Sequence, residues 1–165
     1  MKIWVIIWRL TPPHIWHVSL IKKSIEQNNK TIVILWSSNI KDEYNPFSFE
    51  ERKNFLKVIF SENIEIEKSN DYETDKDWYE EIEAILQNYN PEKITFYWWD
   101  LENDSAIKAI KKFWDSKKQN FIEEKRSKIN ISATKIRRYL KEKKFEEVKK
   151  WIPNEIYEKV IKLTF

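Results

Sequence analysis

The sequence predicts an α/β protein built on a doubly wound, five-stranded parallel sheet with further helices at the C-terminal end. Three observations lead there. Short apolar runs recur at residues 5–7, 31–36, 64–66, 94–97 and 120–124. Two of them, TIVILW and ITFY, are continuous rather than alternating, the pattern of strands covered on both faces. Each run is followed by a segment of helical periodicity, and right-handed crossovers gather such units into one parallel sheet.

In chain order, Val5, Ile6 and Ile7 end a first buried strand, Pro12 and Pro13 break the backbone, and an amphipathic pattern runs from near His14 through Leu20 and Ile21. Residues 31–36 are the second strand. Ser48, with Glu51 three residues on, forms an N-cap ahead of a helix that buries Phe49, Leu56, Ile59 and Phe60. Ile64 and Ile66 alternate with glutamates in a weaker strand. Residues 75–89 read as a helix stopped by Pro91, and residues 94–97 as the fourth strand. Residues 103–113 read as a helix with Ala106, Ile107, Ala109 and Ile110 inward, and residues 120–124 as the last strand. From Ser132 the chain is expected to be helical, interrupted by Pro153. Residues 1–165 therefore form one domain, with the core sheet over about 1–125 and the C-terminal helices over 131–165.

Composition narrows the function classes. With no Cys there is no disulfide framework and no thiol chemistry, compatible with a reducing cytosol. No apolar run reaches the roughly 18 residues of a membrane span, and residues 1–7 are too short for a secretory signal, so a soluble cytoplasmic protein with no membrane partner is expected. A net charge of +3 with Lys and Glu interspersed is weak evidence for nucleic acid, and none is expected as a partner. The anomaly lies elsewhere. An average domain is about 7% Gly, so about twelve are expected here; the chain has no Gly and 9 Trp. Trp36 before Ser37 and Ser38, and Trp98 and Trp99 before Asp100, stand at strand-to-loop turns that favour glycine. The composition predicts that most such Trp positions are glycine in the native protein, as when a UGA codon is translated by the wrong genetic code.

The first strand leads into WRLTPPHIWH, residues 8–17. A strand that ends where a helix begins leaves unpaired N–H groups at the positive end of a helix dipole, which suits a phosphate. Arg9, Thr11, His14 and His17 stand there, and the two histidines, the only ones in the chain, share one face of one helical turn. From spacing alone, a phosphate site and an ordinary capped helix with solvent-facing imidazoles are both open. A zinc site is disfavoured by the lack of Cys and of a third His, so no metal ligands are assigned. In doubly wound sheets ligands bind beyond the carboxyl ends of the strands, so residues 8–11, 36–38 and 98–100 are expected to converge on one crevice.

The segment resembles the signature of the adenylyltransferase and cytidylyltransferase superfamily, a phosphate-binding turn followed by His-x-Gly-His. It is most similar to the nicotinamide-nucleotide adenylyltransferases of archaeal type. Arg9, Thr11, Pro12, His14 and His17 match, whereas Trp8 and Trp16 stand where that family has glycine. A glycine there permits positive φ and close backbone approach, and an indole occupies the ligand's space. The rings of Trp8 and Trp16 are expected to swing outward into solvent.

A second segment, ISATKIRR at residues 131–138, offers Ser132 as an N-cap with Thr134 and Arg137 one turn apart, able to face a phosphate. Taken alone it also reads as a capped helix with a solvated basic face. It resembles the superfamily's second signature, Ile-Ser, a small residue, Thr, two residues and Arg, whose polar members bind ATP phosphates. Between the two, NPFSFEER at residues 45–52 is similar to an archaeal-type segment in which Arg52 matches a phosphate-contacting arginine, and Trp78 matches a tryptophan that stacks on the nicotinamide ring.

The resemblance implies a Rossmann-like fold and adenylyl transfer from ATP to nicotinamide mononucleotide, giving NAD and pyrophosphate. It assigns His14, His17 and Arg137 to catalysis. Trp8, Arg9, Thr11, Trp16, Ser132 and Thr134 fall at ATP, and Arg52, Trp78, Trp36 and Ser37 at the mononucleotide. Mg²⁺ would arrive with ATP and bridge its oxygens. A homo-oligomer is compatible with the sequence. Two alternatives remain. One is another enzyme with the same turn, acting on phosphopantetheine or a cytidine nucleotide, against which Arg9, Arg52 and Trp78 argue. The other is a non-enzymatic module binding single-stranded nucleic acid through lysines and exposed Trp rings.

Overall fold

A computed structural model describes residues 1–98, 104–113, 119–124 and 131–164. Trp99, Asp100 and Asn103 lie outside the described residues. Strands β1 (Lys2–Trp8), β2 (Lys30–Leu35), β3 (Glu65–Lys68), β4 (Lys93–Trp98) and β5 (Gln119–Glu123) pair in the order β3-β2-β1-β4-β5. Every pairing is parallel. The five-stranded doubly wound sheet expected from the sequence is present, and strand order reverses at β1, which pairs with β2 on one side and β4 on the other. A crevice therefore opens beyond the carboxyl ends of β1 and its neighbours.

Alternation along the buried strands feeds two cores. One face packs Ile6, Val33 and Leu35 with Val18 and Ile21 of α1 (Ile15–Gln27) and Leu56 and Phe60 of α2 (Phe49–Phe60). The opposite face packs Ile3, Val5 and Ile34 with Ile82 and Leu86 of α3 (Asp75–Gln87) and Ile107 and Ile110 of α4 (Ser105–Phe113). The predicted cap of α2 is present in full: the Ser48 hydroxyl accepts from Glu51 N–H at 3.2 Å, and Ser48 N–H donates to the Glu51 carboxylate at 2.6 Å.

The C-terminal region departs from expectation. Instead of one break at Pro153 it forms three helices, α5 (Ala133–Lys141), α6 (Phe145–Lys149) and α7 (Asn154–Thr164). The extra reversal falls at Lys143, whose φ is 54°. Lys143 N–H donates to the Leu140 carbonyl and Lys144 N–H to the Tyr139 carbonyl, each at 2.9 Å, so the final carbonyls of α5 are satisfied by a left-handed cap usually built on glycine. Lys takes that place in a chain without Gly. These helices bury Ile136, Leu140, Val148, Ile156 and Val160 against Phe47 and Phe55, which docks the second motif over the crevice. No helix among the described residues is long and apolar enough to cross a membrane.

Candidate functional site

The loops leaving β1 and β2 are tied together at the crevice. Trp36 N–H donates to the Trp8 carbonyl at 3.1 Å. Arg9 Nε donates to Ser37 Oγ at 2.9 Å, and Ser37 Oγ donates to Asp71 Oδ1 at 2.8 Å, so the segments after the first three strands share one network. The Arg9 guanidinium also lies 4.9 Å from the centroid of the Trp36 ring. Residues 8–11 and 36–38 thus converge as expected. Trp98 is buried in the core at the end of β4, and the rest of that loop lies outside the described residues.

Arg52 sits beneath this junction, fully buried. Its guanidinium donates to the carbonyls of Arg9 at 2.8 Å, Trp36 at 2.6 Å, Ser37 at 3.2 Å and Ser48 at 3.4 Å. The carbonyls of Arg9, Trp36 and Ser37 belong to chain ends that have left the sheet and lack ladder partners, while that of Ser48 belongs to the N-cap of α2. Burial, and secondarily the charge of Arg9, lower the Arg52 pKa to about 10. In this geometry Arg52 positions the two loops from below; a direct phosphate contact would require it to release bonds it already makes.

His14 is the N-cap of α1, and its N–H donates to His17 Nδ1 at 3.2 Å. The two rings stack with centroids 3.7 Å apart. Solvent-facing imidazoles are ruled out: His14 is 1% exposed and His17 8%. The cover is the pair of indoles. Trp8 lies 4.9 Å from His17 and 5.4 Å from Trp16, centroid to centroid, and Trp16 lies 5.7 Å from His17. Trp8 is only 7% exposed, so its ring is packed inward and does not swing into solvent. The free N–H groups expected at this helix start are also partly used, because Ile15 N–H donates to the Trp151 carbonyl at 2.9 Å. Positive φ occurs at Leu10 (52°) and Ser37 (54°), not at Trp8 or Trp36.

The second motif closes on the first. Ser132 caps α5 by accepting from Lys135 N–H at 3.2 Å. Arg137 Nη1 donates to the Thr11 carbonyl at 2.9 Å and to Thr11 Oγ1 at 3.1 Å, while Nη2 donates to Thr134 Oγ1 at 3.2 Å. Residues 126 apart in sequence are thereby joined at one point. Burial and then the nearby Arg9 charge lower the Arg137 pKa. Arg9, Arg52 and Arg137 thus crowd positive charge at the crevice, and an anion there would relieve it. The first turn of α5 carries no acidic residue, and a cavity of ≈ 320 Å³ lined by Ser132, Thr134, Lys135 and Arg138 opens at its N-terminus.

On the other side of Arg9 lies a cavity of ≈ 200 Å³, walled by Trp36 and Trp78 and lined also by Asp71, Tyr72, Thr74 and Asp75. A neighbouring one of ≈ 230 Å³ shares Arg9 and Asp71 and adds Ser37, Asp42 and Asn45. Asn45 Nδ2 holds the Ser37 and Ile40 carbonyls at 2.9 and 2.7 Å. Asp71, Tyr72 and Asp42 were not singled out from sequence. The signal for Asp71 was its place after the third strand's carboxyl end, where the topology puts ligands. Among the described residues no group of three or more His, Cys, Asp or Glu could hold a metal ion. None of the described Trp side chains is among the exposed large hydrophobics, so the aromatic platform needed for single-stranded nucleic acid is not formed by them.

Fold and site together define an α/β domain whose basic crevice lies at the switch point of a parallel sheet. The cytidylyltransferase-like family profile matches residues 11–139, and the chain belongs to that family. Among curated proteins none matches the sequence. Solved structures share the fold. A bifunctional NMN adenylyltransferase/ADP ribose pyrophosphatase from Francisella tularensis, complexed with AMP and a manganese ion, superposes with a TM-score of 0.78 at 21% identity, over 98% of this chain and 48% of that one. The chain spans about half the length of that neighbour. A putative nicotinate-nucleotide adenylyltransferase from Vibrio parahaemolyticus gives 0.62 at 20% identity, over 99% of this chain and 96% of the other. The nicotinic acid mononucleotide adenylyltransferase of Plasmodium falciparum, complexed with APC, gives 0.60 at 18%, over 98% and 93%.

Proposed function

We propose that this chain transfers the adenylyl group of Mg-ATP to nicotinamide mononucleotide, forming NAD and releasing pyrophosphate. The observation that carries the reading is the junction of the two motifs. Arg137 reaches Thr11 beside the stacked His14 and His17, so the groups that match both signatures border one anion-binding crevice. A phosphate oxygen of the mononucleotide attacks the α-phosphorus, the α–β phosphoanhydride bond breaks, and the electron pair leaves with pyrophosphate. No side-chain nucleophile takes part. Catalysis rests on alignment and on positive charge aimed at the reacting phosphates. His17 acts at the α-phosphate, His14, Thr134 and Arg137 at the departing phosphates, and Arg9 at the phosphate shared by both cavities. Trp78 offers its ring to the nicotinamide. Mg²⁺ enters as part of the substrate.

Positions 8, 16, 36, 98 and 99 are glycine sites in this reading. Its support is the lack of Gly beside 9 Trp; indole N–H groups buried without a hydrogen-bond partner occur at Trp8, Trp36 and Trp98, as they do at the retained Trp78. Each such group costs about 1–3 kcal/mol. Peptide mass spectrometry of the protein from its own source decides this: Trp at these positions refutes it. The activity is tested by incubating the Trp8→Gly/Trp16→Gly chain with ATP, Mg²⁺ and nicotinamide mononucleotide. NAD and pyrophosphate in equal amounts are expected, and their absence overturns the reading.

A further inference from the structure

We infer that Leu10 is a positioning residue for the proposed adenylyl transfer, on which the inference rests: its left-handed backbone, clamped between two arginines, presents Arg9 and Thr11 to the crevice. Its own side chain reaches no ligand. Leu10 is 2% exposed and belongs to the core that α1 and α2 build on one face of the sheet. A buried leucine does not by itself call for a φ of 52°. That region is disfavoured about tenfold for a residue with a Cβ, so the surrounding structure must impose it.

The carbonyls on either side of Leu10 show how. Arg52 Nη1, from α2, donates to the Arg9 carbonyl at 2.8 Å, and Arg137 Nη1, from α5, donates to the Thr11 carbonyl at 2.9 Å. A right-handed or extended residue 10 would redirect the chain, and one of the two carbonyls would leave its arginine. The same bend sets the neighbouring side chains. Arg9 Nε donates to Ser37 Oγ at 2.9 Å, and Thr11 Oγ1 accepts from Arg137 at 3.1 Å. The arrangement recurs after β2, where Ser37 has a φ of 54° and Arg52 holds the Trp36 and Ser37 carbonyls at 2.6 and 3.2 Å. Arg52 therefore ties two left-handed bends on adjacent strands. At Ser37 the hydroxyl also serves the network; at Leu10 only the backbone does. Leucine meets both demands of the place, since it lacks a β branch that would oppose the bend and carries an apolar side chain that anchors it in the core.

Two volume-conserving substitutions separate backbone from packing. Leu10→Met keeps an unbranched Cβ, whereas Leu10→Ile adds the branch that a left-handed residue tolerates worst, and both refill the core. In the Trp8→Gly/Trp16→Gly chain with Mg-ATP and nicotinamide mononucleotide, Leu10→Ile should lower kcat about tenfold or more by displacing Arg9 and Thr11. Leu10→Met should stay within about threefold of its parent. Leu10→Gly, which adopts the bend freely, should keep more of kcat than Leu10→Ile despite its larger loss of packing. A second readout needs no turnover. In the unmodified chain, solvent exchange of the Arg52 and Arg137 guanidinium protons, followed by NMR, should quicken about tenfold in Leu10→Ile and not in Leu10→Met. Equal kcat in the Ile and Met variants, or equal exchange, overturns the inference. So does a folded Leu10→Gly chain slower than Leu10→Ile, the order that packing alone would give. If the opened parent forms no NAD, the adenylyl-transfer reading fails instead, and the exchange contrast still decides whether residue 10 holds the turn.

Discussion

Opening the crevice by Trp8→Gly/Trp16→Gly should convert a folded protein that does not bind ATP into one that does. A charge-assisted hydrogen bond of about 2.8 Å from an imidazole nitrogen places a phosphate oxygen about 4 Å from that ring's centroid. Trp8 and Trp16 already occupy the surroundings of His17 at 4.9 and 5.7 Å, and both histidines are buried beneath them. Overlap of that kind excludes the ligand outright. Removing a buried Trp costs about 3–5 kcal/mol, offset at position 8 by about 1–3 kcal/mol from losing an unpaired buried N–H. Trp16 is only half-buried, so its removal costs less. The variant should thus lose about 2–5 kcal/mol and stay folded if its stability is within the usual range of about 5–15 kcal/mol. Bound ATP at a hundred times its Kd returns about 2.7 kcal/mol, which in a domain of this size raises Tm by about 5–11 °C. Thermal unfolding with and without Mg-ATP measures it. A comparable rise in the unmodified chain, or none in the double variant, refutes the reasoning.

Arg52→Met should destabilise the chain by about 3–5 kcal/mol, because the carbonyls of Arg9 and Trp36 lose their buried donor, whereas that of Ser37 keeps Asn45 Nδ2; a loss under about 1 kcal/mol in urea unfolding would show that water replaces the guanidinium. His17→Ala, made in the opened chain, should lower kcat about 10²–10³-fold. Its cost in stability should be only about 1–3 kcal/mol, since the fold loses the bond from His14 N–H to His17 Nδ1 and the stack on the His14 ring. Lys23 and then Tyr97 hydrogen-bond Glu124 and hold its carboxyl below the usual range. That stability is present above the unfolded value near pH ~4.3 and is lost as pH falls through the lower folded value. Glu124→Gln should therefore flatten the decline in urea midpoint between pH ~5 and ~3, and an unchanged slope would place the acid sensitivity elsewhere.

What was legible in the sequence was what local chemistry decides. The Ser48–Glu51 cap, the Ser132 cap and the His14–His17 turn each depend on residues within one helical turn, and all three form. The strands were legible because a sheet covered on both faces leaves long apolar runs. Arg52 was not. In FEERKNF it looks like a surface cation, and it turns inward only because three carbonyls from strand ends meet beneath the crevice. Asp71 follows a four-residue edge strand, and only the arrival of Ser37 and Asn39 from the neighbouring loop gives it a place. The reversal at Lys143 was hidden because no glycine marks it.

Glycine serves two different ends at a phosphate turn, and the backbone separates them. One is access to positive φ, the other is the absence of a side chain. Among the described residues, positive φ falls at Leu10, Ser37, Ser61, Asn90 and Lys143, and at no tryptophan. Positions 8 and 16 therefore lie in conformations that any residue adopts, and what the crevice lacks there is space. Alanine supplies nearly all of that space. Trp8→Ala/Trp16→Ala should restore ATP binding to within about tenfold of the glycine variant, the remaining difference being one methyl group at each position of closest approach. Because alanine restricts the unfolded chain more than glycine does, this variant should also be the more stable of the two, by about 1–2 kcal/mol over both positions. Titration of the two variants with Mg-ATP decides the matter. If only the glycine pair binds, the backbone at residue 8 or 16 must adopt positive φ or bring its Cα against the phosphate once the nucleotide enters, and the distinction drawn from the free chain is wrong.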